Sequence, residues 1–179
     1  MDYRACQWSL VFLTLWSLVP AKRSFTMELQ NFSCAIVDPK IGKELTCIVH
    51  RKRTVPTVSV FFSLYETQNE FSIDFQMDLL KKDNTKMNLA HTRLDGCKFL
   101  SSVNSKFIYG KFFKRIQSVS NLPKKCPIRG NQLYAIRNYT VLADEFPPNL
   151  PAVTHQLRLK IIRADAVVAD ILVGGKIIH

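Results

Sequence analysis

The stretch Leu94-Asp95-Gly96-Cys97-Lys98-Phe99-Leu100 begins the part of the chain that decides the fold, and Cys126-Pro127-Ile128 ends it. Between the two cysteines, residues 104–119 show the strongest helical pattern of the sequence, with an apolar stripe of Ile108, Tyr109, Phe112, Phe113 and Ile116. Alternating patterns typical of β-strands lie on both sides. A bond between Cys97 and Cys126 would therefore hold a helix-bearing excursion against a β-scaffold.

Length and composition indicate one folded domain. A chain of 179 residues can bury a real core, and a hydrophobic share of 47% is too high for a disordered protein. The 25 Lys and Arg residues exceed the 14 Asp and Glu residues, which gives a formal net charge of +11. This excess permits an acidic partner, but it also keeps a small secreted protein soluble, and we favour the second interpretation.

Residues 1–21 have the layout of a signal peptide. A short start containing Arg4 precedes the apolar run Leu10–Val19, and Pro20-Ala21 follows. The run is shorter than the roughly 20 apolar residues that a transmembrane helix needs. We predict cleavage near Ala21, secretion to the extracellular space, and a single domain over residues 22–179.

A secreted protein folds in an oxidising compartment, where its cysteines form disulfides. Cys6 leaves with the signal peptide, and four cysteines remain, which predicts two disulfides in an oxidising compartment. Spacing alone leaves all three pairings open. The sequons Asn31-Phe32-Ser33 and Asn138-Tyr139-Thr140 predict N-glycosylation at Asn31 and Asn138.

A local argument favours one disulfide pairing. If the strands on either side of residues 38–42 form a hairpin centred between Lys40 and Ile41, then Cys34 lies opposite Cys47. Directly opposed residues have Cβ atoms roughly 4.5–5.5 Å apart, close to what a disulfide bridges. This pairing leaves Cys97 to bond with Cys126.

The alternating segments predict about eight strands and one helical insert, which indicates a mainly β, immunoglobulin-like sandwich of two sheets. The clearest alternation begins at Phe71 and ends at Leu79. The strands are predicted at residues 25–37, 45–51, 57–65, 71–79, 87–94, 133–142, 155–162 and 167–178. Phe146–Pro151 is predicted to be a surface loop, because three prolines remove ladder donors.

The sequence shows little sign of catalytic chemistry. It contains no Gly-X-Ser-X-Gly elbow and no phosphate-binding loop, and its histidines lack metal-ligand spacing. Asp74 and Asp78 lie on one strand face but too far apart for a paired-carboxylate mechanism, so we interpret them as solvated. We predict no enzyme activity, no metal, no cofactor and no nucleic-acid partner.

Splayed sheets can hold an apolar ligand in place of part of the core. The predicted lining consists of Phe62, Phe71, Phe75, Met77, Phe99, Phe112 and Ile116. On pattern alone an ordinary closed core is favoured, since both structures need the same apolar faces. Lys111, Lys114 and Arg115 would lie on the opposite helix face, as contacts for an anionic head group or membrane surface or as a solvated face near a helix C-terminus.

The cysteine-framed segment resembles a large insect family of small secreted proteins. The similarity rests on Asp95-Gly96-Cys97-Lys98-Phe99-Leu100, on Ser120-Asn121 and on Cys126-Pro127-Ile128. Asn31-Phe32-Ser33-Cys34 followed by Cys47 is similar to the opening strand pair of that family. The chain departs from the family pattern at residues 151–155, where the family often has Gly or Lys before a Tyr.

The resemblance implies an ML-like (lipid-recognition) sandwich and an extracellular, non-enzymatic carrier, with relatives similar to chemosensory proteins of insect taste hairs. Our leading hypothesis is a secreted protein that binds a lipid or semiochemical between its sheets. The rival hypothesis is an extracellular module with a dry core that recognises a receptor protein or a glycan.

Overall fold

The computed structural model describes residues 25–51, 55–81, 83, 85–101, 109–143 and 150–179. This part of the chain contains eight strands and two short helices. They are β1 (Thr26–Ile36), β2 (Gly42–His50), β3 (Thr57–Leu64), β4 (Ser72–Leu80), β5 (Lys86–Asp95), α1 (Gly96–Ser101), α2 (Tyr109–Ser118), β6 (Tyr134–Tyr139), β7 (Thr154–Arg163) and β8 (Ala166–Ile178). None of the helices in these ranges is long and apolar enough to cross a membrane.

The strands form two antiparallel sheets. One sheet has five strands in the order β1-β8-β7-β4-β5, and the other has three in the order β2-β3-β6. The prediction of a mainly β, two-sheet sandwich with about eight strands is therefore confirmed. The signal-peptide prediction for residues 1–21 and most of the predicted loop 146–151 lie outside the described residues.

The five-stranded sheet is interrupted by register shifts. They occur between Leu29 and Asn31 in β1, between Met77 and Asp78 where β4 meets β5, and between Ile161 and Ile162 where β7 meets β8. Bulges of this kind bend a strand and increase its local twist. The large sheet is therefore curved rather than flat.

The predicted hairpin between β1 and β2 is wrong. β1 pairs along its length with β8, and β2 pairs with β3 in the other sheet. The chain changes sheets at a turn in which Lys40 N and Gly42 N donate hydrogen bonds to Asp38, at 2.9 and 3.0 Å. Adjacency in sequence suggested a hairpin, but the longer ladder with β8 satisfies more backbone groups of β1.

Both predicted disulfides are nevertheless present. Cys34 bonds Cys47 with a Cα–Cα distance of 5.9 Å, and Cys97 bonds Cys126 with a Cα–Cα distance of 5.4 Å. Because β1 and β2 belong to different sheets, the first bond joins the sheets instead of bracing a hairpin. The predicted cysteine pairing is therefore confirmed, although the β1–β2 hairpin from which it was predicted does not form.

The helical excursion begins directly after β5. Asp95 Oδ1 accepts a hydrogen bond from Lys98 N at 2.9 Å, which caps α1, a helix that the sequence analysis did not predict. The predicted helix at 104–119 is observed as α2 from Tyr109, and residues 102–108 lie outside the described part.

A packed cluster closes the end of the sandwich next to the helices. Leu100, Phe113, Ile128 and Tyr134 are buried there. The rings of Phe99 and Phe113 are in close contact, with their centroids 4.2 Å apart. Tyr134 Oη also accepts a hydrogen bond from Arg129 N at 2.8 Å, so its polar end is satisfied.

Gly96 occupies a position where a side chain has no room. A Cβ there would overlap the ring of Phe71, whose carbonyl oxygen accepts a hydrogen bond from Gly96 N at 2.8 Å. We expect Gly96→Ala to lower the free energy of unfolding by about 1–3 kcal/mol, measured by urea denaturation.

Two controls test whether this effect comes from the clash. Gly174→Ala is the matched control, because its Cβ would lie 3.4 Å from Asn31 Cβ, and we expect a change within about 0.5 kcal/mol. In a Phe71→Ala background the clash is gone, so Gly96→Ala should cost little. An equal cost in both backgrounds would rule out the steric explanation.

Candidate functional site

The inner faces of the two sheets are identified by the disulfide that joins them. Cys34 and Cys47 must both point into the space between the sheets. Residues directly opposite each other on neighbouring strands share a face. From Cys34 the pairs run through Ile171 and Leu159 to Phe75, so these side chains lie on the inner face of the five-stranded sheet.

The inner face of the five-stranded sheet is apolar but incompletely covered. Every one of the following side chains on this face is only half-buried: Phe32, Ile73, Phe75, Met77, Leu79, Leu157, Leu159, Ile161, Ile171 and Val173. In a closed sandwich the inner side chains of both sheets interdigitate at the density of an organic crystal. Half-buried side chains over the middle of this face indicate that it is packed less densely than a closed core, whereas His155 and Ile177 at one end are buried.

The three-stranded sheet differs. On its inner face Val58, Val60 and Tyr139 are 9%, 8% and 5% exposed. The T-shaped contact of Phe112 on α2 with Tyr139, at 5.4 Å between ring centroids, contributes to this cover. Other residues of this inner face, such as Ile136, are half-buried, so the small sheet is only partly covered and most of the half-buried apolar surface lies on the five-stranded sheet.

The side of the sandwich formed by β1 and β2 is held closed. Besides the disulfide, Arg51 at the end of β2 donates hydrogen bonds to the carbonyl oxygens of Leu29 and Gln30 on β1, at 3.5 and 3.2 Å. The sheets are thus linked at two points along this side.

On the side of the sandwich opposite β1 and β2, the chain between β5 and β6 carries both helices. α2 is attached to the end of β6 by a hydrogen bond from Arg115 Nη2 to Thr140 O at 3.0 Å. Its guanidinium carbon also lies 5.5 Å from the centroid of the Tyr139 ring. The helix therefore packs against the small sheet.

The structure divides the residues that the sequence predicted as ligand-lining. Phe62, Phe71 and Phe99 pack against the buried cluster at the helix end. Phe75 and Met77 lie on the half-buried inner face of β4. Phe112 and Ile116 are half-buried on α2.

The three predicted head-group contacts also differ among themselves. Lys114 is exposed on α2, whereas Arg115 is occupied by its contacts with Thr140 and Tyr139. The side chain of Lys111 lies outside the described residues.

Sequence reasoning missed the contribution of β7 and β8 to the inner face. Leu157, Leu159, Ile171 and Val173 supply as much of it as β4 does. Both segments were predicted as strands, so alternation within them would have identified these positions. His155 was also missed, since a single histidine in a strand gives no pattern.

His155 is the one buried histidine among the described residues, with 8% of its surface exposed. It lies on the inner face, opposite Gly175 on β8 and Leu79 on β4. Desolvation by burial lowers the pKa of its imidazole below the ordinary value. The ring is therefore neutral at physiological pH.

The outer face of the same sheet is polar. A groove of about 400 Å³ runs across it, lined in part by Gln76, Asp78, Arg158 and Asp170. Arg158 forms a bidentate ion pair with Asp170, and hydrogen bonding to Arg158 lowers the pKa of that carboxyl.

The two strand-face carboxylates that were interpreted as solvated are both paired. Asp74 Oδ1 lies 2.8 Å from His91 Nε2. Asp78 is only 6% exposed, so the solvated interpretation is wrong for it. A hydrogen bond from Asn88 lowers its pKa, outweighing the opposing effect of burial, and Gln76 adds a second donor. Its charge is thus compensated within the sheet.

The chain was compared with known proteins in three ways. A family model described as "Protein of unknown function (DUF1091)" matches residues 75–157, which contain the Cys97–Cys126 bond and both helices. The crystal structure of chicken MD-1 complexed with lipid IVa is similar to the chain at 11% sequence identity and a TM-score of 0.40, covering 86% of this chain and 98% of that one. The comparison with curated proteins gives no match.

The buried imidazole predicts a pH dependence of stability. In the unfolded chain His155 has a pKa of about 6.5 and in the folded chain a lower one, so below about pH 6.5 the unfolded state binds more protons. We expect the free energy of unfolding to fall between pH 7 and pH 5. His155→Leu, which has no proton to bind, should show a smaller decrease by urea denaturation at the two pH values.

The carboxyl groups do not obscure this test. The lowered pKa values of Asp78 and Asp170 affect stability only below about pH 4, outside the window. Equal decreases in the wild type and in His155→Leu would exclude His155 as the source.

Proposed function

We propose that this protein is a secreted, non-enzymatic carrier that holds an apolar ligand, a lipid or a long-chain semiochemical, between its two sheets. The observation that supports the proposal is the half-buried inner face of the five-stranded sheet. Exposure of that much apolar surface to water is unfavourable. A ligand that covers it would gain a favourable free energy of about 25 cal/mol per Å² of apolar surface buried.

The proposed lining follows from the placement of the side chains. Phe75 and Met77 on β4, together with the leucines of β7 and the aliphatic residues of β8, face the ligand. Phe112 and Ile116 on α2 lie on the side of the small sheet. Phe62, Phe71 and Phe99 pack against the buried cluster, which would form the floor of the proposed cavity.

Several features support an extracellular location. Two disulfides suit an oxidising compartment. The side chains of Asn31 and Asn138 are exposed, so both sequons are accessible for glycosylation. We propose that residues 1–21 act as the secretion signal. The insect origin and the chemosensory association implied by the sequence resemblance remain predictions.

A surface contact is the second partner that we propose. Lys114 is exposed on α2, the helix that carries two of the lining residues, Phe112 and Ile116. Its charge suits an anionic membrane surface or an acidic receptor. A carrier that docks through this helix would bring its cavity close to the source of the ligand.

The first experiment is native extraction. The secreted protein is purified without detergent, extracted with organic solvent, and the extract is analysed by mass spectrometry. A lipid or hydrocarbon present in a fixed ratio to the protein is the expected result. An empty extract, together with no uptake of the fluorescent probe N-phenyl-1-naphthylamine, would favour the dry-core recognition module.

A substitution tests the lining directly. Phe75→Trp puts a larger ring into the proposed cavity, and we expect the affinity for N-phenyl-1-naphthylamine to fall about tenfold while the protein stays folded. In a closed core the same change would overpack the interior and lower stability by about 1–3 kcal/mol.

The matched control is Phe61→Trp. Phe61 lies opposite Thr46 and Ala135, on the outer face of the three-stranded sheet. The same increase in volume at that position should leave probe affinity unchanged. Unchanged affinity in a folded Phe75→Trp protein would exclude Phe75 from the lining.

A further inference from the structure

His155 is the buried polar side chain on the inner face of β7. Its Nδ1 atom is buried and, within the part of the chain that the structure describes, has no hydrogen-bond partner. Burying a hydrogen-bonding nitrogen without a partner is unfavourable for folding, and most buried polar groups in proteins are paired. A bound ligand can supply the hydrogen-bond partner that this nitrogen lacks.

The backbone around His155 is shaped to admit an imidazole. At Gly175, directly opposite on β8, an added Cβ would lie 2.8 Å from His155 Cε1 and 2.9 Å from His155 Nε2. Any other residue at 175 would displace the ring or the backbone of β1, because its Cβ would also lie 2.8 Å from Glu28 O. The lack of a side chain at Gly175 thus allows the imidazole of His155 to lie close against β8, on the inner face of the sheet.

The surroundings of the imidazole on this face are apolar. Its neighbours along the row of paired residues are Leu29, Gly175, Leu79 and Met87. The next row towards the helix end is formed by Phe32, Val173, Leu157, Met77 and Ala90. The nearby charged residues Glu28, Lys86 and Lys176 occupy the alternate positions that face outward. A leucine at 155 would complete an uninterrupted apolar face.

We propose that His155 Nδ1 binds a hydroxyl group of the ligand, which makes the ligand a long-chain alcohol or another apolar molecule with a single hydroxyl. This inference rests on the proposed carrier function and specifies its ligand. A neutral imidazole presents Nδ1 either as a donor or as an acceptor, depending on its tautomer, and a hydroxyl is both. A hydroxyl therefore satisfies Nδ1 in either case.

A charged head group fits this position less well. A carboxylate would have to leave water for an apolar environment, and no cationic side chain belongs to the paired rows around His155 described above. A pure hydrocarbon would leave Nδ1 unpaired. A hydroxyl group needs one hydrogen-bond partner, and His155 Nδ1 is that partner.

The test compares 1-dodecanol with tridecane, which has the same number of non-hydrogen atoms but no hydroxyl. Each compound is titrated against N-phenyl-1-naphthylamine bound to the delipidated secreted protein, and the ratio of the two dissociation constants measures the preference for the hydroxyl. We expect His155→Leu to reduce this preference about 3- to 10-fold while tridecane still binds. His91→Leu, the same substitution at an exposed residue, should leave the preference unchanged.

A measurement on the wild type removes any dependence on variant folding. With ¹⁵N-labelled histidine, 1-dodecanol should shift the Nδ1 resonance of His155, and tridecane should not. If both ligands bind but neither the preference nor the resonance responds, the assignment to His155 is overturned and the carrier function stands. If neither ligand displaces the probe from the wild type, the carrier function itself fails.

Discussion

The Cys34–Cys47 disulfide is the constraint on which the arrangement of the two sheets depends. It joins edge strands that share no ladder, because β1 is occupied with β8 and β2 with β3. Two sheets linked only by side-chain packing need a filled interior to stay together. A covalent link along one side, supported by Arg51, reduces that need. The interior can then remain partly open without loss of the fold.

Stability and the proposed function occupy different parts of the molecule. The buried cluster around Phe113 and Tyr134, braced by the Cys97–Cys126 bond, supplies a conventional core at one end. The inner face of the five-stranded sheet is the surface that we propose for the ligand. This division explains why the cysteine-framed excursion is needed: it provides packing that the sheets do not provide for each other.

Sequence patterns predicted the strands well but not their partners. Alternation in residues 71–79 identifies the inner face of β4, because a strand with one wet face must alternate. The partner of β1 lies far along the chain, in β8, and no local signal encodes that pairing. The hairpin prediction failed for this reason, since it relied on the tendency of neighbouring strands to pair.

The candidate site was predicted only in part, for a related reason. Phe75 and Phe62 have the same apolar, alternating context and are both half-buried, yet Phe62 stacks on Tyr134 in the packed cluster and Phe75 lies on the inner face of the five-stranded sheet. Periodicity shows which face a side chain is on, but what lies across the gap depends on tertiary structure. His155 could not be predicted, because its significance comes from Gly175 on another strand.

The bulges of the five-stranded sheet have a consequence for how such a protein changes over evolutionary time. If the gap is produced by backbone curvature, its existence does not depend on any one lining side chain. Substitutions along β4, β7 and β8 can then alter the shape and polarity of the cavity while the frame persists. Lineages that share this backbone are free to exchange one cargo for another by a few point changes, with the disulfides and the packed end left untouched.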